Sequence, residues 1–141
     1  MKKQFLILLV ALLILSLTVG MYVYNYHKQQ LMIKKNNQFY ESYIQKQILG
    51  TDLISIINKT IDSNEKNAIQ KQAGYYQENE ENSIKIYIQF LEDKRTILME
   101  DIAEKTTESF IKYFATAQFK CTNIEYHSKT GKVKSLTFQQ L

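Results

Sequence analysis

Hydrophobic and polar positions divide this chain into two unequal parts. Phe5–Tyr24 reads FLILLVALLILSLTVGMYVY and carries no charged side chain. As a helix, these 20 residues span about 30 Å, the thickness of a bilayer hydrocarbon core. Lys2 and Lys3 precede the run, and Tyr22, Tyr24 and Tyr26 cluster at its far end, where an aromatic belt would lie. A helix apolar on every side needs lipid or a large protein core around it, and the remaining residues are too few to supply the core. The pattern therefore predicts a membrane helix held by Phe5, Leu9, Leu13, Leu17, Tyr22 and Tyr24, with the lipid bilayer as its partner.

A cleaved signal peptide is the competing reading. Met1-Lys2-Lys3 makes a basic start, and Thr18-Val19-Gly20 puts small residues at a cleavage spacing. Bulky Met21 and Tyr22 follow, no Ala-x-Ala occurs, and the apolar run is longer than a signal peptide needs, so the residues favour a retained anchor. Lys2 and Lys3 on one side face Lys28, Lys34 and Lys35 on the other. The charge rule is close to balanced, and the short basic start favours an N-terminus inside and a domain outside.

Beyond the anchor, Ile33, Tyr40, Ile44 and Ile48 recur at spacings of seven and four, with Tyr43 beside Tyr40. This predicts an amphipathic stalk helix over 25–50 with Gly50 as its C-terminal cap. Ile33, Tyr40, Tyr43, Ile44 and Ile48 form a candidate face for self-association or for a partner helix. Thr51 or Asp52 is suited to cap a second helix striped by Leu53, Ile56, Ile57 and Ile61. Asp62–Asn67 reads as its polar exit, and Gln70–Ser83 as a loop.

Ser83–Leu91 alternates, with Ile84, Ile86, Ile88 and Phe90 on one face, and predicts a half-buried strand. A charged turn, Glu92-Asp93-Lys94-Arg95, leads to a helix over about 98–115 with Leu98, Ile102, Thr106, Phe110, Tyr113 and Phe114 on one side. Phe119–Tyr126 and Val133–Gln139 read as a C-terminal hairpin, with Gly131 supplying a positive φ. The predicted fold is α+β: a basic tail at 1–4, an anchor at 5–24, a stalk at 25–50, and at 51–141 a small antiparallel sheet of about three strands packed by helices.

Composition narrows the chemistry. In 141 residues there are one Cys, two His, no Pro and no Trp. A single Cys excludes an internal disulfide framework and a multi-Cys zinc site, and its position as Cys121 excludes a lipoprotein anchor. The net charge is +4, but it comes from dispersed Lys with Arg95 as the sole Arg. A nucleic-acid partner is therefore not expected.

Candidate chemistry resolves into structural roles. Gly131-Lys132 ends like a phosphate loop, yet Tyr126 stands where that loop needs Gly and Val133 where it needs Ser or Thr. Cys121 and His127 on one strand lie about 20 Å apart, too far to share a proton, so Cys121 is expected as a semi-buried strand residue. His27 reads as interfacial. Glu100, Glu104 and Glu108 read as a solvated helix face rather than metal ligands. No cofactor is implied, and an enzyme is not expected.

Gly50-Thr51-Asp52-Leu53-Ile54-Ser55-Ile56-Ile57-Asn58-Lys59, Asn64-Glu65-Lys66-Asn67, Phe119-Lys120-Cys121 and Tyr126-His127 resemble segments of uncharacterised small membrane-anchored proteins of low-GC Gram-positive bacteria. The layout also resembles pilin-like and pseudopilin-like proteins, without their processing Gly before the apolar run. The resemblance implies no activity; the uncut anchor, the amphipathic stalk and the missing catalytic residues together predict an extracytoplasmic, non-enzymatic component of a surface, pilus-like or secretion assembly. A membrane-anchored ligand-binding or sensor module is the alternative, with a pocket lined by Tyr75, Tyr76, Tyr87 or Tyr113.

Overall fold

The computed structural model describes residues 2–92 and 94–141, the side chains of Lys105 and Thr106 excepted. Asp93 of the expected charged turn, Met1 of the tail and the Thr106 side chain of the expected helical face lie outside the described residues. The chain is α+β and divides into two compact units, one ending at Lys35 and the other spanning Asn36–Leu141.

The first unit is helical. It belongs to α1 (Lys2–Glu41), whose apolar residues from Phe5 to Tyr24 are largely exposed. This helix is long and apolar enough to cross a membrane, a property shared by anchors and signal sequences.

The second unit opens with the last turns of α1, which end at Glu41 rather than near Leu49. Tight turns follow, with Ile44 N donating to Glu41 O at 3.1 Å and Gln45 at φ 59° donating to Cys121 O at 3.2 Å. The chain then becomes β1 (Gln47–Leu49). The expected stalk over 25–50 is thus corrected. Spacings of seven and four fit a helix, but Ile48 with exposed neighbours fits an edge strand equally well, and the pairing Ile48 to Phe119 decides it.

Helix α2 (Gly50–Lys66) buries Leu53, Ile56, Ile57, Thr60 and Asn64. It continues through Asp62–Lys66 of the Asp62–Asn67 stretch expected as an exit, because Asn64 is held inside. Its first amides are capped by carbonyls: Gly50 N donates to Ala117 O at 3.0 Å and Thr51 N to Ala115 O at 3.3 Å. Asp52 accepts from Leu49 N at 3.3 Å. The expected loop at Gln70–Ser83 contains a hairpin, β2 (Lys71–Gln72) with β3 (Tyr75–Tyr76).

The main sheet adds β4 (Lys85–Gln89), β5 (Thr96–Leu98), β6 (Gln118–Tyr126) and β7 (Val133–Gln140), in the order β1-β6-β7-β4-β5. It has five strands and is mixed: β4 and β7 run parallel, the other neighbours antiparallel. The expected antiparallel sheet of three strands is corrected on both counts. The C-terminal hairpin is present, with Gly131 at φ 67°. Between β5 and β6 the expected single helix is a π-helical turn (Asp101–Thr106) leading into α3 (Thr107–Phe114). The Thr107 hydroxyl donates to Ile102 O at 2.8 Å, holding a carbonyl in the widened turn.

One core fills this unit. Ile84, Ile86, Ile88 and Phe90 meet Phe119, Leu136 and Phe138 of the sheet, Leu53, Ile56 and Ile57 of α2, and Met99, Ile102 and Phe110.

Candidate functional site

Phe5, Leu9, Leu13, Leu17, Tyr22 and Tyr24, the residues expected to hold an anchor, are all exposed on α1. The five residues of the candidate interaction face do not share one helical face. Ile33 is half-buried on α1, and Tyr40 is fully buried, its hydroxyl accepting from Thr60 Oγ1 at 3.3 Å. Burial pushes the Tyr40 phenol above its ordinary pKa. Tyr43 and exposed Ile44 lie in the turns after the helix, and Ile48 is buried in β1. Burial of Tyr40 and Ile48 in the unit's own core leaves Ile33, Tyr43 and Ile44 as the accessible remainder.

An aromatic cleft of about 440 Å³ lies between β5 and α3. Phe90, Phe110 and Phe114 form its floor, with ring centroids 5.0 Å apart for Phe90–Phe114 and 5.3 Å for Phe110–Phe114. The helical spacing of four brings Phe110 and Phe114 to one side of α3. Ile97 and Tyr113 flank them, and Tyr113 is 70% exposed. Three polar groups join this lining: Arg95, Asp101 and Ser109. The Arg95 guanidinium carbon is 5.9 Å from the Phe90 ring centroid. Asp101 is fixed by Tyr75 Oη, which donates to its Oδ1 at 2.6 Å, and by Leu98 N, which donates to its Oδ2 at 3.1 Å.

Of the four tyrosines expected around a pocket, only Tyr113 lines this cleft. Tyr76 is in the core and donates to Glu65 at 3.2 Å, and Tyr87 donates to Glu78 at 3.4 Å. Tyr75 reaches the cleft through Asp101. The aromatic floor was visible in the sequence as Phe90, Phe110 and Phe114. Arg95 was read as part of a charged turn, and its place beside them depends on β5, which the sequence pattern did not reveal.

A second polar cluster lies under the β2–β3 hairpin. Lys85, 6% exposed, pairs with Glu100, 2% exposed, at 3.1 Å. Glu100 Oε1 also accepts from Tyr76 N at 3.0 Å, while its Oε2 has no hydrogen-bond partner among the described residues. Glu104 accepts from Lys71 at 2.8 Å, which raises the Lys71 pKa. The expected solvated row of Glu100, Glu104 and Glu108 is therefore corrected at Glu100 alone: Glu104 and Glu108 are exposed, whereas Glu100, in the helical turn after β5, is buried against Lys85.

A polar cleft of similar volume is lined by Glu78, Asn79, Glu80, Tyr126, His127, Ser128 and Lys134. Its walls are tied by Lys134–Glu78 at 3.3 Å and by a Lys129–Glu80 ion pair. His127 is buried, with Nε2 2.7 Å from Ser83 O. Cys121 is fully buried at the other end of β6, more deeply than expected, and burial pushes its thiol up to about 11. Its partner across the β6–β7 pairing is Phe138, and it belongs to the same buried core as Phe119. Among the described residues no group of three or more His, Cys, Asp or Glu is placed to hold a metal ion. No family model, no curated protein and no solved structure matches this chain.

Proposed function

We propose that the chain is a single-pass membrane protein whose Asn36–Leu141 unit works outside the cytoplasm as a non-enzymatic interaction module. The observation that carries this reading is the charge-free, exposed helical run from Phe5 to Tyr24. Such a surface is stable only in lipid, because about 25 cal/mol is lost for each Å² of apolar area left in water. The basic residues Lys2 and Lys3 before it favour an inside N-terminus. The resemblance to small anchored proteins and to pilin-like layouts agrees with a place in a surface, pilus-like or secretion assembly. Ile33, Tyr43 and Ile44 are the residues of the candidate face that remain accessible to a second copy or a partner helix.

Cys121 supports the non-enzymatic part of the reading. A buried thiol raised to about 11 is almost wholly protonated at neutral pH and is a poor nucleophile.

Protease treatment of intact cells, with mass analysis of the protected fragment, tests the proposal. The Asn36–Leu141 unit is expected to be cut on intact cells while the apolar helix is retained. A unit cut only after lysis overturns the outside placement, and a mature N-terminus after Gly20 overturns the anchor.

A second reading is favoured by one observation. The aromatic cleft between β5 and α3 is concave, mostly apolar and fitted with a few polar groups, the usual make-up of a small-molecule site. On this reading the anchored unit binds a soluble ligand.

A further inference from the structure

We propose that the basic face of α1 just beyond the apolar run binds the phosphate headgroups of anionic phospholipids in the membrane that holds the run. This rests on the anchor reading above and names the lipid class that the anchor selects. From Met1 to Tyr40 the chain has no Asp or Glu, and its first acidic residue is Glu41. Lys28, Lys34 and Lys35 lie in the first unit, after the apolar run, and are exposed on α1. They take part in none of the ion pairs among the described residues.

Their placement points to a charged plane. At 3.6 residues per turn, Tyr24, His27, Lys28, Leu31, Lys34 and Lys35 fall within about 120° of the helix circumference. The opposite side, with Tyr26, Gln29, Gln30 and Ile33, is uncharged. A spacer in water gains nothing from collecting its cations on one side, whereas a helix leaning on an anionic surface does. The depths agree. Lys28 lies about 6 Å beyond Tyr24, at the edge of a headgroup layer about 5–7 Å thick. Lys34 and Lys35 lie about 15–17 Å beyond Tyr24. Helical side chains lean toward the N-terminus, here toward the bilayer, and the long Lys stems extend that reach. Their ammonium groups therefore stay within about one Debye length of the headgroups. Tyr24 and Leu31, on the same side, suit the boundary between acyl chains and water. The ammonium groups donate to phosphodiester oxygens, and a zwitterionic headgroup offsets that attraction with its own cation.

Electron paramagnetic resonance of spin-labelled lipids tests the proposal. The full-length protein carries Lys2→Gln and Lys3→Gln, which remove the other basic end. It is placed in phosphatidylcholine nanodiscs with trace spin-labelled phosphatidylglycerol or phosphatidylcholine. The phosphatidylglycerol label is expected to associate with the protein about fivefold more strongly, the effect of one Lys at an anionic surface. The preference should vanish in 1 M salt, where the screening length falls to about 3 Å. Adding Lys28→Gln, Lys34→Gln and Lys35→Gln should abolish it, whereas Lys28→Arg, Lys34→Arg and Lys35→Arg should keep it. Circular dichroism checks that α1 stays helical in each variant. If both labels are restricted equally, or if the preference survives the three Gln replacements, the proposal falls while the anchor stands. If neither label is restricted, the helix is not in the bilayer, and the anchor reading falls with the proposal.

Discussion

Gly50 lies directly against the carbonyl of Phe114, so that a Cβ on Gly50 would fall far inside van der Waals contact distance of the Phe114 oxygen. The contact joins the first residue of α2 to the last residue of α3, where Ala115 and Ala117 carbonyls also accept from Thr51 N and Gly50 N. Backbone meets backbone here, so no side chain can swing aside. Gly50→Ala is therefore expected to destabilise the Asn36–Leu141 unit by about 3 kcal/mol, at the upper end of overpacking. Urea unfolding followed by circular dichroism measures it. A change under half that size would mean that the α2–α3 junction yields easily.

Asn64 holds the residue that leads into β4. Its Nδ2 donates to Ile84 O at 2.8 Å, and its Oδ1 accepts from Ile84 N at 2.9 Å. The side chain thus stands in for a neighbouring strand. Asn64→Leu keeps the branched shape and leaves both buried groups of Ile84 unpaired, at a cost of about 2–4 kcal/mol. Asn37 makes the same kind of bracket on the C-terminal hairpin, with Gly131 O at 2.7 Å and Val133 N at 3.1 Å. That site is more open to water, so Asn37→Ala should cost about 1 kcal/mol. Equal costs for the two variants would contradict the role given to burial.

These asparagines mark where the sequence stopped being legible. Periodicity exposes apolar faces, and it placed the apolar N-terminal helix, α2, β4, the aromatic side of α3 and the C-terminal hairpin. Asn64 looked like the polar exit of a helix because a hydrophilic residue with long-range backbone bonds has no local signature. The edge strands β1 and β5 have three residues each, too short for alternation to register. Lys85 and Glu100 looked solvated one at a time; only the packing of the turn after β5 against β4 reveals them as a buried pair. The cleft suffered the same way, since Arg95 reaches the aromatic floor only through β5.

The Lys85–Glu100 pair should behave as a unit. Lys85→Met strands a buried carboxylate, and Glu100→Gln strands a buried ammonium. Each is expected to cost about 3–5 kcal/mol. The double variant removes both charges and keeps an acceptor for Tyr76 N, so it should be more stable than the sum of the single losses predicts. A double-mutant cycle from denaturant midpoints gives the coupling. Strict additivity would show that the pair does not act across the sheet.

The β2–β3 hairpin turns through Ala73 and Gly74 at φ 52° and 87°. Two positive φ values make a two-residue turn of the kind that prefers Asn-Gly. Ala73 is exposed and carries the steric penalty of a Cβ in this region. Ala73→Asn is expected to stabilise the unit by about 0.5–1 kcal/mol, read from the urea midpoint. Destabilisation would mean that the Ala73 methyl makes a packing contact of its own.

Alkaline pH should act on the fold through Cys121. Burial raises its thiol from the ordinary 9.0 to about 11 in the folded chain. The folded state therefore holds the proton more tightly than the unfolded state. Below pH 9 both states are protonated, and the contribution of this group is fully present. As pH rises from 9 toward 11 the unfolded thiol ionises first, and stability falls. Tyr40, also raised by burial, acts in the same direction at higher pH. Cys121→Ala leaves a small cavity but removes the thiol, so its stability should be flatter between pH 9 and 11 than that of the parent chain. The same burial predicts that iodoacetamide at pH 8 labels Cys121 only after unfolding, at a rate set by denaturant. Rapid labelling of the native chain would mean that β6 opens far more readily than its place at the centre of the core implies.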